Sequence, residues 1–178
     1  MIRNVNDDAF RASLVLCVIA LTFGITLRLI WPADSHFLAD QAYNYARGTG
    51  MGRTEPWDWL GMQSSGGFRN PGLSAWVFVV LCRVFSVVTP LDLALAVTLM
   101  NCAALLLAAV WAAIQMRGAD RQQWLAAVSL AAVNPSAIWL HRTIWAQSTA
   151  PLFAILFWIG FWNRRRWWGA FLWGFTGP

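Results

Sequence analysis

Lysine is absent from this chain of 178 residues, and charged residues of all kinds make up only 12% of it. A soluble domain needs roughly a quarter charged residues to cover its surface, so an ordinary soluble domain is excluded. All thirteen cations are arginines, standing singly or at the ends of apolar stretches. Without a basic stripe, the net charge of +5 does not indicate a nucleic-acid partner.

Cysteine is also scarce. Cys17, Cys82 and Cys102 are widely separated, and each lies within an apolar stretch. This spacing matches neither a metal site nor a disulfide framework. We therefore expect the three thiols to be small residues of the core.

Apolar residues are abundant: 58% of the chain is hydrophobic and it has thirteen tryptophans, which collect at membrane–water interfaces. Apolar runs between short charged loops predict membrane-spanning helices of about 20 residues each. We predict an all-α polytopic membrane protein, a single membrane domain over residues 1–178. Its predicted segments are an inner N-terminus (1–11), span 1 (12–31), a large outer loop with short helices (32–90), span 2 (91–116), span 3 (124–140), span 4 (149–162) and a partial span 5 (167–178).

Arginine positions decide whether the apolar stretch 73–88, which contains Arg83, is a span. If it crosses, Arg117, Arg121 and the arginines at 164–166 face the outside. If it stays on the outer surface, all of these lie inside, as the positive-inside rule favours. We therefore predict about four full spans, an outer juxtamembrane helix and an incomplete fifth span. The N-terminus is predicted to be cytoplasmic, in the cell (inner) membrane.

Asp40 is the first candidate for chemistry, on a segment with helical spacing (37–47) in the large outer loop. A carboxylate at a membrane surface can act as a general base, or bind a divalent cation together with a phosphate head group. The alternative, a solvated loop acid, is the commoner role. Asp34, His36 and Tyr43 are further candidates in this loop. Asp34, His36 and Asp40 could form a metal triad, but their spacing fits no particular metal, so we predict a divalent metal only if the chain is catalytic.

The small outer loop at 141–149 supplies the second group of candidates. Arg142 could clamp a lipid phosphate through two hydrogen bonds, or simply extend to the interface as arginines near span ends do. Gln147 offers a neutral hydrogen-bonding group at a span end. Arg28, one turn before the end of span 1, could reach outer head groups or pair with a loop acid.

Two polar features inside the spans are more typical of packing than of a site. Asn101 is expected to hydrogen-bond across a close helix contact. Pro135, after Asn134, is expected to kink span 3 near its outer half.

Three segments carry a family resemblance: FLADQAYNYARG at 37–48, FRNPGLSAW at 68–76 and NPSAIWLHRTIWAQ at 134–147. In this order they resemble the N-terminal half of the GT-C-fold glycosyltransferases, multi-spanning enzymes that use polyprenyl-phosphate-linked sugars. The first segment is similar to the family's Asp-x-x-Tyr loop helix, which implies that Asp40 is its catalytic or metal-binding acid. The third is similar to the family's Asn-Pro followed by Trp-Gly-Gln-x-Asp.

The chain departs from this pattern at Ala146 and Thr149, where the family has glycine and aspartate. The second outer-loop carboxylate is therefore missing, and the family continues for several further spans. We expect a non-catalytic or partner-dependent membrane subunit that contacts lipids and other membrane chains. The alternative is a glycosyltransferase component that moves a sugar from a polyprenyl-phosphate donor at the outer face, with Asp40 as base or metal ligand. A transporter half is a third alternative, which no inverted repeat supports.

Overall fold

The computed structural model describes residues 5–34, 37–63 and 66–177, with side chains in the first helix from Asp8 onward. These residues are mainly helical and divide into two compact units. Unit 1 comprises Met1–Arg28, Cys102–Ile138 and Pro151–Pro178; unit 2 comprises Leu29–Asn101 and Trp139–Ala150. The helices are α1 (Val5–Leu29), α2 (Ala39–Gly50), α3 (Leu73–Val84), α4 (Pro90–Gln115), α5 (Gly118–Val133), α6 (Pro135–His141), α7 (Ala150–Trp162) and α8 (Trp167–Thr176); the strands are β1 (Leu60–Gln63) and β2 (Arg69–Pro71), and a 3-10 turn covers Ala146–Thr149.

Two of the described helices are long and apolar enough to cross a membrane: α1 over Asp8–Leu29, and α4. The 26 residues of α4 extend about 39 Å, more than the roughly 30 Å hydrocarbon core. Together α5 and α6 make a third candidate if they are counted as one span. The expectation is thus confirmed in a coarser form: the described chain is mainly helical and contains helices that are long and apolar enough to cross a membrane.

The segment predicted as span 3 breaks at Asn134, where α6 turns 69° away from α5. Pro135 has no N–H to donate to the carbonyl of Ala131 four residues earlier, so the helical ladder stops there. The Asn134 Oδ1 accepts a hydrogen bond of 3.0 Å from the Ala137 N–H and caps the new helix. The predicted kink at Pro135 is confirmed.

Helix ends differ from the predicted boundaries. The apolar helix predicted over 73–88 ends at Val84, because Ser86 takes a left-handed φ of 51°. The Val87 N–H then reaches back to the Cys82 carbonyl at 3.0 Å, the bond that closes a Schellman-type helix end. Similarly, α1 begins at Val5 rather than residue 12, and the loop helix covers Ala39–Gly50 rather than 37–47.

Unit 1 is held together where α1 and α5 touch through their backbones. A Cβ added at Gly24 would lie 2.7 Å from the carbonyl carbon of Ala132. Only glycine allows helices to approach this closely. An apolar core surrounds the contact, formed by Cys17, Leu21, Leu105, Ala108, Trp111, Ala112, Met116, Leu125, Val128, Ala132 and Ile159.

The last two helices, α7 and α8, form a second close contact in unit 1. A Cβ added at Gly160 would lie 2.5 Å from the backbone nitrogen of Trp173. The Trp173 ring also meets Phe161, with 5.6 Å between ring centroids. The two short helices therefore pack as an antiparallel pair joined by the turn that carries the arginines at 164–166.

In unit 2, α2 packs on α3. A Cβ added at Gly48 would lie 2.9 Å from the Cys82 sulfur and 3.3 Å from Phe78 Cβ. The antiparallel strands β1 and β2 pair Leu60 with Pro71 and precede α3. All three cysteines of the chain are buried free thiols, as predicted.

An ion-pair network in unit 2 organises the loop before β1. Arg47 contacts Glu55 at 2.8 Å and Asp58 at 3.1 Å, and Arg69 lies 3.6 Å from the same Asp58 oxygen. The Asp58 carboxylate also accepts a 3.0 Å hydrogen bond from the Leu60 N–H. This backbone hydrogen bond, with the nearby Arg69 and Arg47, lowers the pKa of Asp58.

Lowering the pH should destabilise this loop, because it protonates the Asp58 carboxylate. Because the pKa of Asp58 is lowered in the folded chain, its stabilising contribution is complete well above the ordinary aspartate value of about 3.9. That contribution is lost as the pH falls through the lowered folded pKa. We expect the wild type to show a tryptophan-fluorescence step below about pH 4, since Trp59 and Trp76 stand beside the network with 5.1 Å between ring centroids. Asp58→Asn should lack the step and Asp34→Asn should keep it; an unchanged step in Asp58→Asn contradicts the assignment.

Candidate functional site

Two cavities in unit 2 share the side chain of Gln41. The larger has a volume of about 340 Å³ and the smaller about 100 Å³. The larger is lined by Ala33, Phe37, Gln41, Thr89, Pro90, Leu91, Ala94, Arg142 and Ile144. The smaller is lined by Leu38, Asp40, Gln41, Trp139, Thr143 and Trp145.

Arg142 contributes the charged group to the wall of the larger cavity. Its Nη2 donates to the carbonyl oxygens of Trp31 and Asp34, the latter at 3.1 Å. Within the part of the chain that the structure describes, its Nε and Nη1 make no hydrogen bond. The guanidinium is thus anchored on one side and keeps donors for an anion.

Two buried asparagines hold the segment that carries Arg142. Asn101 is fully buried, and its Nδ2 donates to the carbonyls of His141 at 3.4 Å and Ser148 at 3.0 Å. The Asn44 Nδ2 donates to the Ile144 carbonyl at 3.2 Å. The expected hydrogen bonding of Asn101 to another segment is confirmed, and its effect is to position the Arg142 backbone.

Asp40 lies in the first turn of α2, half-buried in the wall of the smaller cavity. Among the described residues no hydrogen-bond donor contacts its carboxylate. The carboxylate can therefore accept hydrogen bonds from a ligand.

Gln41 is the residue that sequence reasoning missed. It is only 6% exposed and lines both cavities. Leu38, which directly precedes α2, is 67% exposed. The buried residues of α2 are instead Gln41, Asn44 and Gly48. Their spacing of three and four residues was the signal available in the sequence.

The other predicted loop residues lie in different surroundings. Tyr43 lines a cavity of about 410 Å³ with Arg47 and Glu55, and its hydroxyl accepts a hydrogen bond from Arg47 Nε at 3.4 Å. Asp34 contributes a backbone carbonyl to Arg142. Gln147 is exposed on the 3-10 turn. The prediction for His36 falls outside the described residues.

Arg28, predicted to hold a lipid phosphate, belongs to unit 1 and is only 1% exposed. Its Nη1 donates to Gly24 at 2.8 Å and Ala132 at 2.6 Å, and its Nη2 donates to Ala131 at 3.3 Å. All three acceptors are backbone carbonyls. Two of these hydrogen bonds join the guanidinium to the end of α5.

The described residues contain no group of three or more His, Cys, Asp or Glu side chains that could hold a metal ion. The suggested triad of Asp34, His36 and Asp40 includes a residue outside that part of the chain. At Thr149, where the resembled family has aspartate, the hydroxyl donates to the Ala146 carbonyl at 2.8 Å.

Comparison with protein-family models, with curated proteins and with solved structures finds no match to this chain. The resemblance to GT-C glycosyltransferases therefore rests on the three sequence segments alone.

Proposed function

We propose that the protein is a partner-dependent integral membrane subunit, similar to a shortened GT-C glycosyltransferase, whose unit 2 binds an anionic lipid of the polyprenyl-phosphate type. The observation that carries this proposal is the anchored Arg142 guanidinium in an otherwise uncharged cavity wall. Apolar walls with one cation suit a molecule that joins a hydrocarbon chain to an anion. The volume of about 340 Å³ lies at the lower end of ligand pockets.

Exposed apolar side chains support the membrane setting and the expected partner chains. On α1, Leu16, Ile19 and Phe23 are each more than half exposed, and so are Phe171 and Phe175 on α8. Large apolar surfaces of this kind contact lipid or other chains. The proposed topology has four full spans, α3 on the outer surface, a partial fifth span and an inner N-terminus in the cell membrane; the positive-inside distribution of arginines supports it.

Lipid binding can be tested by thermal melts of the detergent-purified protein with polyprenyl phosphate, uncharged polyprenol or phosphatidylglycerol. A ligand that binds only the folded state raises the melting temperature. We expect the largest rise with polyprenyl phosphate, because it combines the long chain with the anion. Arg142→Gln should weaken this binding about 10- to 100-fold, the loss of a charge-assisted hydrogen-bond pair.

The matched control is Arg53→Gln, which removes an exposed arginine of unit 2 and should leave the lipid-induced rise intact. Equal stabilisation by polyprenol would show that the anion is not recognised. Equal stabilisation by phosphatidylglycerol would show a general anionic-lipid site. An undiminished rise in Arg142→Gln would remove Arg142 from the site.

A catalytic role in sugar transfer is the second candidate, favoured by the placement of Asp40 beside Gln41 in the smaller cavity. The Asp40 carboxylate would act as base at the outer face. Membranes containing the protein and its partner chains should then consume a radiolabelled polyprenyl-phosphate sugar, and Asp40→Asn should abolish this turnover while Asp34→Asn retains it. Turnover that is equal in Asp40→Asn and wild type contradicts the catalytic role.

A further inference from the structure

Three aromatic side chains of unit 2 are exposed around the strands β1 and β2. Trp59 and Phe68 are 76% and 80% exposed, and Trp57 is half exposed. Trp59 directly precedes β1, and Phe68 directly precedes β2. We call these three residues the aromatic rim. Large apolar side chains that are exposed together in this way mark a surface that contacts a membrane or another molecule.

Contacts with the start of α3 position the two indoles of the rim. The Gly72 N–H donates to the Trp59 carbonyl at 3.1 Å, and a Cβ added at Gly72 would lie 2.6 Å from that oxygen. The Trp76 ring packs against both indoles, with centroid distances of 5.1 Å to Trp59 and 6.4 Å to Trp57. The Trp76 Nε1 in turn donates to the Asp58 carbonyl at 3.0 Å. The Trp59 ring is therefore held in place on one side while most of its surface faces outward.

The chemistry of the rim suits the interface between lipid and water. An indole joins an apolar ring to one N–H, and tryptophan collects at membrane interfaces because the ring can enter the lipid while the N–H bonds to head groups. Among the described residues, the Trp59 N–H donates no hydrogen bond. Arg69, next to Phe68, contacts Asp58 at 3.6 Å, and its side chain is 45% exposed. Its cation can therefore also meet a lipid phosphate.

An exposed apolar strip connects the rim with the start of α4, a candidate span. On α3, the exposed side chains of Leu73, Val80 and Val84 are seven and four positions apart, so they lie on one face of the helix. The 12 residues of α3 extend only about 18 Å, and α4 begins at Pro90, soon after α3 ends. The rim therefore lies close to the point where the chain enters the bilayer if α4 crosses it. This continuity favours the lipid surface over a separate protein partner.

We propose that the aromatic rim is a membrane anchor, in which Trp57, Trp59 and Phe68 insert into the head-group layer of the outer leaflet. The partner is the phospholipid surface itself, and the insertion holds unit 2 against it. This inference rests on the membrane setting of the proposed function, but it does not require lipid binding at Arg142.

Photocrosslinking of the full chain in the membranes of expressing cells tests the anchor. The photoreactive amino acid p-benzoylphenylalanine replaces Phe68, which preserves an aromatic side chain, and in a second variant it replaces Trp59. After irradiation, mass spectrometry of the purified chain should show a phospholipid adduct at both positions. The control is position 46, because Ala46 is exposed on α2 and lines a cavity with the paired Arg47 and Glu55; it should form little lipid adduct.

A further substitution in the chain that carries the photoreactive residue at position 68 tests whether the rim acts as a unit. Trp59→Ser should lower the yield of lipid adduct several-fold, because the loss of one inserted ring weakens the insertion about tenfold or more. Trp59→Phe keeps an apolar ring and should retain most of the yield.

Three results would overturn the anchor: no adduct at either position, an adduct with another protein in place of lipid, or an equal lipid adduct at position 46. Each of them would leave lipid binding at Arg142 standing, since the melts with added lipid measure that binding separately. If the chain is absent from the membrane fraction, the proposed function itself fails, and the anchor fails with it.

Discussion

Gly24→Ala should destabilise the protein by about 3 kcal/mol, toward the upper end of the usual cost of overpacking a close-packed interior. The new Cβ would lie 2.7 Å from the Ala132 carbonyl carbon, a backbone atom that cannot swing aside. It would also lie 3.1 Å from Arg28 Nη1 and disturb the guanidinium at the same contact. A melt in detergent followed by circular dichroism should show a midpoint lower by about 10 °C.

The matched control for this experiment is Gly174→Ala in α8. A Cβ at Gly174 would meet no heavy atom of its surroundings within 4 Å. Alanine is the better helix former by roughly 0.5–1 kcal/mol, so this variant should be neutral or slightly more stable. Equal melting of Gly24→Ala and Gly174→Ala would mean that α1 and α5 do not touch at Gly24.

Arg28→Met should cost a comparable amount, about 3 kcal/mol, through a different mechanism. The break at Pro135 leaves the Ala131 carbonyl without its helical partner, and Arg28 donates to both Ala131 and Ala132. Methionine keeps much of the volume but supplies no donor, so buried carbonyls lose their hydrogen bonds. Arg28→Lys should show an intermediate loss, because one ammonium cannot reproduce the fork of a guanidinium. Thermal melts in detergent followed by circular dichroism measure the stability of both Arg28 variants.

Combining Arg28→Met with Pro135→Ala tests this mechanism. Alanine at 135 restores the N–H that can close the helical bond to Ala131, so the double variant should lose less stability than the two single losses added together. Arg164→Met is the control. Arg164 is exposed and donates to the Phe161 carbonyl at 2.9 Å, so its substitution should change the stability little. Strict additivity would show that Arg28 stabilises unit 1 through contacts other than these carbonyls.

The helical segments could be predicted because each is a local property of the sequence. A long apolar run such as that of α4, and a proline such as Pro135, act on their own neighbourhood. The end of α3 at Val84 was not predictable in this way, because the next residues are also apolar and the helix stops at the left-handed Ser86. The neighbouring residue types do not predict that a serine adopts this left-handed backbone conformation.

The candidate site was predictable only in part, for a related reason. Asp40 and Arg142 were found because a charged group beside an apolar run is conspicuous. Gln41 was missed because its burial and its place in the walls of both cavities depend on residues far along the chain. Two of the carbonyls that accept hydrogen bonds from Arg28, those of Ala131 and Ala132, likewise lie more than 100 positions away in sequence, at a helix break that no local pattern connects to α1.

The three buried cysteine thiols can report when the unit that contains them opens. Cys17 and Cys102 belong to unit 1, and Cys82 belongs to unit 2. A buried thiol reacts with a maleimide only during the moments when its surroundings separate, so its labelling rate measures a local opening free energy. Time-resolved mass spectrometry of the unmodified chain can therefore follow the two units separately, without an introduced label. A bound lipid that stabilises one unit should slow the labelling of the thiols in that unit, so the same measurement can identify the unit.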